Sequence, residues 1–407
     1  MSKQAYKFRL YPTRKQRDRL QQTLDACRIL YNAALTERRD AYQFHVRQHP
    51  NYYDEATRRE RSRELEITYY SQAHQLTEIK VIREEYHEIH AQVLQDVLRR
   101  VQKAFDAFFR RCKAGEKPGY PRFRGQGRYN SFTYPQVGFS LTHDHRICLS
   151  KIGSIKVLLH RAIKGTIKTC TVKREGDVWY VIFTCDVESE PLPENDKVVG
   201  IDLGLLHFAT FSTGETIENP RYLRKAEKQL ERLQQALSRQ KRGSHRRRKV
   251  GKLLGKAHRK VANQRRDFLH KQSRKLVNAY GVLIFEELQP ANMSKRPKTK
   301  QDENGCYLPN GAAAKSGLNK SLADAGWGMF QQFCVYKAAN ASRAMLFVNP
   351  KYTSQICSGC GTIVKKELSE RWHSCECGCS LDRDHNAALN ILRLGRSRQG
   401  NLRSPAL

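Results

Sequence analysis

Apolar positions alternate at the start of the chain, shift to helical spacing, then alternate again, and each shift marks an element. Residues 5–11 read as a strand that Pro12 ends, and Thr13 with Gln16 forms a capping box for the helix that follows. Leu20, Leu24, Cys27, Tyr31 and Leu35 recur at helical spacing, leaving an Arg-rich face free. A second helical stripe, from Val93 and Leu94 through Val101 and Phe105 to Cys112, stops at Ala114-Gly115. The charged residues 54–90 between the two are also predicted helical. From 115 to 136 the texture turns to Gly, Pro, Arg and aromatic residues, an ordered loop entering a β region. Strand-like runs at 169–173 and 178–183 flank a turn at Glu175-Gly176-Asp177. The opening strand must find its partners after residue 137, so the amino half is a β-barrel or sheet module interrupted by a helical insertion. Residues 191–196, PLPEND, form the linker that closes it.

The carboxy half opens with a strand over 198–202, a tight turn at Gly204 and a strand near 208–211. A long helical region follows over 220–280, folded back near Gly243, then a strand over 281–286. The polar stretch 294–317 is predicted to lack order. A helix through Trp327 and Phe333, a strand near 346–348, a cysteine cluster and a final helix from about Asp384 complete the pattern. The tail from Ser397 is expected to be disordered. No internal repeat is visible.

Charge narrows the partners. The 407 residues, enough for two or three domains, hold 74 Lys+Arg against 40 Asp+Glu, a net +34 that points to a nucleic acid. Within 221–275 the balance is 21 Lys+Arg to 3 Asp+Glu. No apolar h-region opens the chain and no run of about 18 apolar residues occurs, so a cytoplasmic or nucleoid location without membrane contact is expected. Five of 12 cysteines crowd into 357–379, a metal pattern rather than a disulfide framework. Cys357-x-x-Cys360 and Cys375-x-Cys377 suit a four-thiolate zinc site, structural because full coordination leaves no open position. Cys379 competes with Cys377 for the fourth place, and Cys377 is favoured because Gly378 mirrors Gly361; His373 is a weaker competitor.

Three acids stand where a fold could aim them at one place. Asp202 and Glu286 end apolar strand runs, and Asp384 opens an Ala/Leu-rich helix. A desolvated carboxylate needs a cation or donors, and a pair of divalent ions is the usual apparatus for cutting a phosphodiester.

These segments together carry a resemblance. KFRLYPTRKQ, GIDLG, IFEEL, DAGWG, KYTSQICSGCG and LDRDHNAALNI, in this order, resemble the transposon-encoded TnpB nucleases, relatives of type V CRISPR effectors and Fanzor proteins. The resemblance implies a multidomain α+β and α/β chain: a wedge-type β-barrel (1–14 and 119–192) with a helical recognition insertion (15–118), then a split RuvC, RNase H-like nuclease domain (197–351 and 380–396) with a zinc-ribbon insertion (352–379) and the tail 397–407. It implies catalytic acids Asp202, Glu286 and Asp384 holding two Mg²⁺, with Glu287 and Asp382 the near misses. Strand alternation sends Glu286 and Glu287 to opposite faces, and Asp382 suits a helix cap. It further implies one structural Zn²⁺, a guide RNA from the transposon end, and cleavage of double-stranded DNA beside a short adjacent motif by a prokaryotic protein that is monomeric within its ribonucleoprotein. The competing readings are a guided binder or repressor that does not cut and a transposase-accessory, zinc-containing nucleic-acid-binding protein.

Overall fold

Strand β1 (Ser2–Tyr11) lies inside a sheet whose other members all come after residue 130. The computed structural model describes residues 2–43, 67–367 and 370–403, and the chain divides into two compact units, residues 1–188 and 189–407.

In the first unit, β2 (Ser131–Tyr134), β3 (Phe139–Thr142), β4 (Arg146–Leu149), β5 (Gly153–Leu158), β6 (Thr166–Glu175) and β7 (Val178–Val187) join β1 in an antiparallel, nearly closed sheet of order β2-β6-β7-β1-β5-β4-β3. β1 pairs with β7 from Ser2↔Val187 to Leu10↔Trp179 and with β5 over Arg9↔Leu158 to Tyr11↔Lys156. Its alternation is physical: Tyr6, Phe8 and Leu10 are buried with Val157, Val181 and Phe183. The capping box forms as the sequence predicts. Thr13 Oγ1 accepts from Gln16 N at 3.4 Å and Gln16 Oε1 accepts from Thr13 N at 3.0 Å, starting α1 (Arg14–Tyr42). Part of the predicted helix over 54–90 lies outside the described residues. Its described portion is broken into α2 (Tyr69–His74), α3 (Leu76–Ile82) and a 3₁₀ turn (Glu84–Glu88). Helix α4 (Ala91–Lys113) packs on α1 and ends where Gly115 adopts φ +67°.

The second unit is built on a mixed sheet of order β10-β9-β8-β11-β14. Its strands are β8 (Val198–Asp202), β9 (His207–Phe211), β10 (Thr216–Glu218), β11 (Val282–Glu286) and β14 (Ala344–Val348). β8, β11 and β14 run parallel and are nearly all apolar; β8 and β11 lie inside the sheet, and β14 forms its edge. Between β10 and β11 the chain folds into an α-hairpin, α5 (Tyr222–Ser238) and α6 (His245–Ala279), reversing at Gly243 with φ +83°. After β11, the stretch 294–317 is not without order. It carries the small hairpin β12 (Lys300–Gln301) and β13 (Tyr307–Leu308), and α7 (Ala312–Ala325) begins inside it. Asp302 Oδ1 accepts from the backbone N–H of Asn304 and Cys306, a local turn bond that polarity alone concealed. Helix α8 (Trp327–Asn340) covers one sheet face with Trp327, Phe330 and Cys334.

The last elements are β15 (Trp372–Ser374), β16 (Ser380–Asp382) and α9 (Arg383–Arg403). α9 runs through Ser397 to Arg403, past the point where disorder was expected; no proline intervenes before Pro405, and Ser397 Oγ donates to Arg393 O at 3.0 Å. Residues 404–407 of that expected tail lie outside the described residues. α9 lies directly on β8 and β11. A Cβ on Gly200 would sit 2.3 Å from Ala388 O, and one on Gly395 would sit 2.3 Å from Ile284 Cδ1, so glycine at both places permits the approach.

Candidate active site

The register of β8 and β11 aligns Phe285 with Ile201, and one further step brings Glu286 beside Asp202 at the carboxyl ends of two neighbouring parallel strands. Such strand ends are where open α/β sheets place ligands. Alternation fixes the face. Asp202 is two residues from Gly200 and Glu286 two from Ile284, and both of those meet α9. Asp384, in the first turn of α9, arrives at the same edge. The carboxylates are close enough that Glu286 and Asp384 both oppose ionisation of Asp202, whose pKa stands well above the ordinary carboxylate value, first through burial and then through these two acids. Glu286 is pushed up by burial, with a partly offsetting hydrogen bond from Thr353 Oγ1. Among the described residues, the cation that lowers Asp202 is Arg383, whose Nε lies 3.5 Å from Asp384 Oδ1.

The near misses stand differently, although Asp382 adds its charge to those opposing ionisation of Asp202. Glu287 is exposed, and its N–H donates to Val348 O at 2.8 Å. Asp382 Oδ1 accepts from the backbone N–H of Asp384 at 2.8 Å and of His385 at 3.2 Å, capping α9. Three desolvated acids around a single guanidinium leave negative charge that the protein itself does not balance, so the donor set fits hard divalent cations. Unlike the cysteine cluster below, the acids do not draw all their donor oxygens within 4.8 Å of one another.

The sequence reasoning did not single out several residues that shape this edge. Gln331, on α8, donates from Nε2 to Glu286 O at 3.1 Å. Thr353 touches the Glu286 carboxylate itself. Asn386 and Asn390 are buried on α9. Two asparagines four apart in an otherwise Ala/Leu-rich helix were the available signal, since a buried amide must find partners.

The cysteines form a second centre. The Sγ atoms of Cys357, Cys360, Cys375 and Cys377 all lie within 4.8 Å of one another. Cys357 is 3.6 Å from Cys377, and Cys360 is 3.6 Å from Cys375. A tetrahedron with Zn–S bonds of about 2.3 Å has edges of about 3.8 Å. Burial raises the Cys357 thiol, but the N–H groups of Cys360 and Gly359 and the side chain of His373 bring it down to about 5. Cys377 receives the Cys379 N–H, yet crowding by Cys360, Cys357 and Cys375 pushes it up to about 12. Cys360 is lowered too, by the Thr362 hydroxyl and N–H, while Cys375 and Cys377 resist ionisation, a conflict that a bound dication removes. Cys379 sits apart from the four, within 4.8 Å of Cys357 and the fully buried His373. Glycines at 361 and 378 both take positive φ, +84° and +85°, so the two knuckles turn alike.

Among the described residues no helix is long and apolar enough to cross a membrane.

The chain is also similar to known proteins. Three family profiles match: "Probable transposase" over residues 182–297, "Cas12f1-like, TNB domain" over 327–391, and "Helix-turn-helix domain" over 1–45, a segment whose described part is here a strand followed by one long helix. The chain is 32% identical to "Putative RNA-guided DNA endonuclease InsQ" of Escherichia coli K12, covering 97% of this chain and 92% of that one. It is 29% identical to a "Putative RNA-guided DNA endonuclease" of Streptomyces pristinaespiralis, covering 97% and 89%. Its fold is similar to that of the protein in a Cas12f1-sgRNA-target DNA complex, with a TM-score of 0.51 at 13% identity over 91% of this chain and 81% of that one. By extent and identity of match, the chain belongs to the TnpB family, the OrfB proteins of IS605.

Proposed function

We propose that this protein is an RNA-guided DNA endonuclease that binds a guide RNA derived from its transposon end and cleaves double-stranded DNA beside a short adjacent motif. The observation that carries the reading is the meeting of Asp202, Glu286 and Asp384 at one strand edge, where the latter two oppose ionisation of Asp202, in a chain of net charge +34. The relatives' names supply the guided chemistry. In this reading residues 197–351 and 380–396 form a RuvC-type nuclease domain, 352–379 a zinc ribbon, and 1–14 with 119–192 the wedge around a recognition insertion at 15–118.

Asp202, Glu286 and Asp384 would hold two Mg²⁺, and Cys357, Cys360, Cys375 and Cys377 one structural Zn²⁺. Divalent ions at the acids supply charge neutralisation on the scissile phosphate and an activated water. The chain's own contribution is positional. Adjacent strand ends fix Asp202 and Glu286 side by side, and the Asp382 cap orients the first turn of the helix that bears Asp384. Lys and Arg of the α5–α6 hairpin engage phosphates, while base pairing with the guide reads the sequence. Such a ribonucleoprotein works in the cytoplasm or nucleoid. A binder that does not cut is disfavoured because all three acids are present.

The test is Asp202→Ala in the full-length protein purified with its RNA. RNA copurification is expected to persist while Mg²⁺-dependent cleavage of a guide-matched duplex falls by at least three orders of magnitude. Cleavage at the wild-type rate would overturn the assignment.

A further inference from the structure

One hydrogen-bonded chain links the cysteine knuckle to the acid edge, and nothing in the proposed chemistry uses it. Asn386 and Asn390 stand four residues apart on α9, hence on one side of the helix, away from the Ala388 and Gly395 side that meets the sheet. Both are buried, at 0% and 1% exposure. Asn390 Nδ2 donates to Thr353 O at 2.9 Å and to Ile356 O at 2.6 Å. Asn386 Nδ2 donates to the same Ile356 O at 2.7 Å, and Asn386 Oδ1 accepts from Ser358 N at 2.9 Å. Cys357 lies between those last two anchors, so the first knuckle is pinned to the helix on both sides.

At the other end of the chain of bonds, Thr353 is 3% exposed and its Oγ1 donates to Glu286 Oε1. Pro350 O lies 3.1 Å from the same oxygen and competes for the single hydroxyl proton. Ionised, as it is when it holds a cation, the Glu286 carboxylate is the stronger acceptor and takes it. That leaves Oε2 of Glu286 without a protein hydrogen bond among the described residues. Asn390 Oδ1 is itself buried without a partner.

We propose that Thr353 is a positioning residue for Glu286: its hydroxyl fixes one carboxylate oxygen so that the other faces the cation, and the Asn386–Asn390 pair makes this placement depend on the cysteine knuckle. The inference rests on the reading of Glu286 as a cation ligand. Partners of this kind typically govern metal affinity by about 10- to 100-fold when removed.

The experiment titrates Mn²⁺ into the full-length protein by water-proton relaxation, with wild type, Thr353→Val, Thr353→Ser and Glu286→Gln, and measures zinc content in each. The expected result is that Thr353→Val weakens Mn²⁺ binding by roughly 10-fold or more, that Thr353→Ser restores it, and that zinc stays at one per chain in both. Unchanged Mn²⁺ affinity in Thr353→Val, with loss in Glu286→Gln, would overturn the proposal while leaving the acid site intact. Equal weakening in Val and Ser variants, or loss of zinc from Thr353→Val, would also overturn it, since the hydroxyl would then not be the operative group. Wild-type Mn²⁺ binding by Glu286→Gln would remove the reading of the site and this inference with it.

Discussion

Asp382 and Asp384 stand two residues apart and do opposite work: the first spends its Oδ1 on the N–H of the second, at 2.8 Å, and so holds it at the start of α9. An acid that caps a helix is unavailable as a metal ligand through that oxygen, and an acid in the first turn is oriented by the cap. Asp382→Ala is therefore expected to lower stability by about 1 kcal/mol and to slow cleavage by loosening Asp384. Asp382→Asn, a comparable cap, should keep both near wild type. Thermal melting and single-turnover cleavage of the two variants check this; an Asn variant as slow as Ala would mean that Asp382 acts through its charge.

A second expectation concerns Asp202, whose folded pKa is raised by burial and by Glu286 and Asp384. Between the ordinary carboxylate range and the raised value, the folded chain holds a proton that the unfolded chain releases. Stability of the metal-free protein must therefore fall as pH rises through that window. Asp202→Asn removes the term. At neutral pH without divalent ions, Asn at 202 is expected to stabilise by about 1 kcal/mol, roughly 2–4 °C in Tm, with the advantage vanishing below about pH 4. Mg²⁺ should raise the Tm of wild type more than that of the variant. Scanning calorimetry at several pH values, with and without Mg²⁺, decides it, and a variant less stable than wild type at neutral pH would contradict the assignment.

How much of this could be read in advance depended on the length scale of the signal. The Thr13–Gln16 box, the alternation of Tyr6, Phe8 and Leu10, and the reversal at Gly243 were legible because each is written in a few neighbouring residues. Residues 312–317 were misjudged because composition near Gly, Ala and Lys looks the same in a mobile stretch and at the start of α7. Ser397 was misjudged similarly, for its hydroxyl bonds within the helix instead of ending it. What no local pattern could carry was the pairing of distant groups: Thr353 with Glu286, Asn390 with Thr353 and Gln331 with Glu286. These depend on three elements arriving at one edge, and a lone Thr or Asn in a sequence does not say which carbonyl or carboxylate it will meet.

The cysteine cluster yields a sharper contrast than its five residues suggest. Cys357, Cys360, Cys375 and Cys377 share one small volume, whereas Cys379 groups with Cys357 and His373 only. Metal analysis of purified protein is expected to give one zinc per chain in wild type and in Cys379→Ser, and well under half of that in Cys377→Ser. Because Cys375 and Cys377 are raised and begin protonated, zinc uptake should release protons and weaken as pH falls. Retention of zinc by Cys377→Ser together with loss from Cys379→Ser would exchange their roles.

The last prediction rests on the basic hairpin. Arg246, Lys249, Lys256 and Lys260 are exposed on α6, and their spacing of three, seven and four residues keeps them on one side of that helix. Four like charges in a row destabilise a helix modestly on their own, and none of the acids of 221–275 lies between them in sequence. A polyanion covering them would offset that repulsion, each neutralised phosphate releasing a counterion. Replacing Lys249, Lys256 and Lys260 by Ala is expected to leave Tm unchanged or slightly higher, because repulsion is relieved. Affinity for the guide RNA or its DNA heteroduplex should drop, and the slope of log affinity against log salt should become shallower by about 2 to 3, as removal of three phosphate contacts requires. Filter binding across a salt series measures the slope directly. A variant that binds weakly at every salt concentration with the wild-type slope would have lost shape rather than charge, and the hairpin would then contact its partner through some other face.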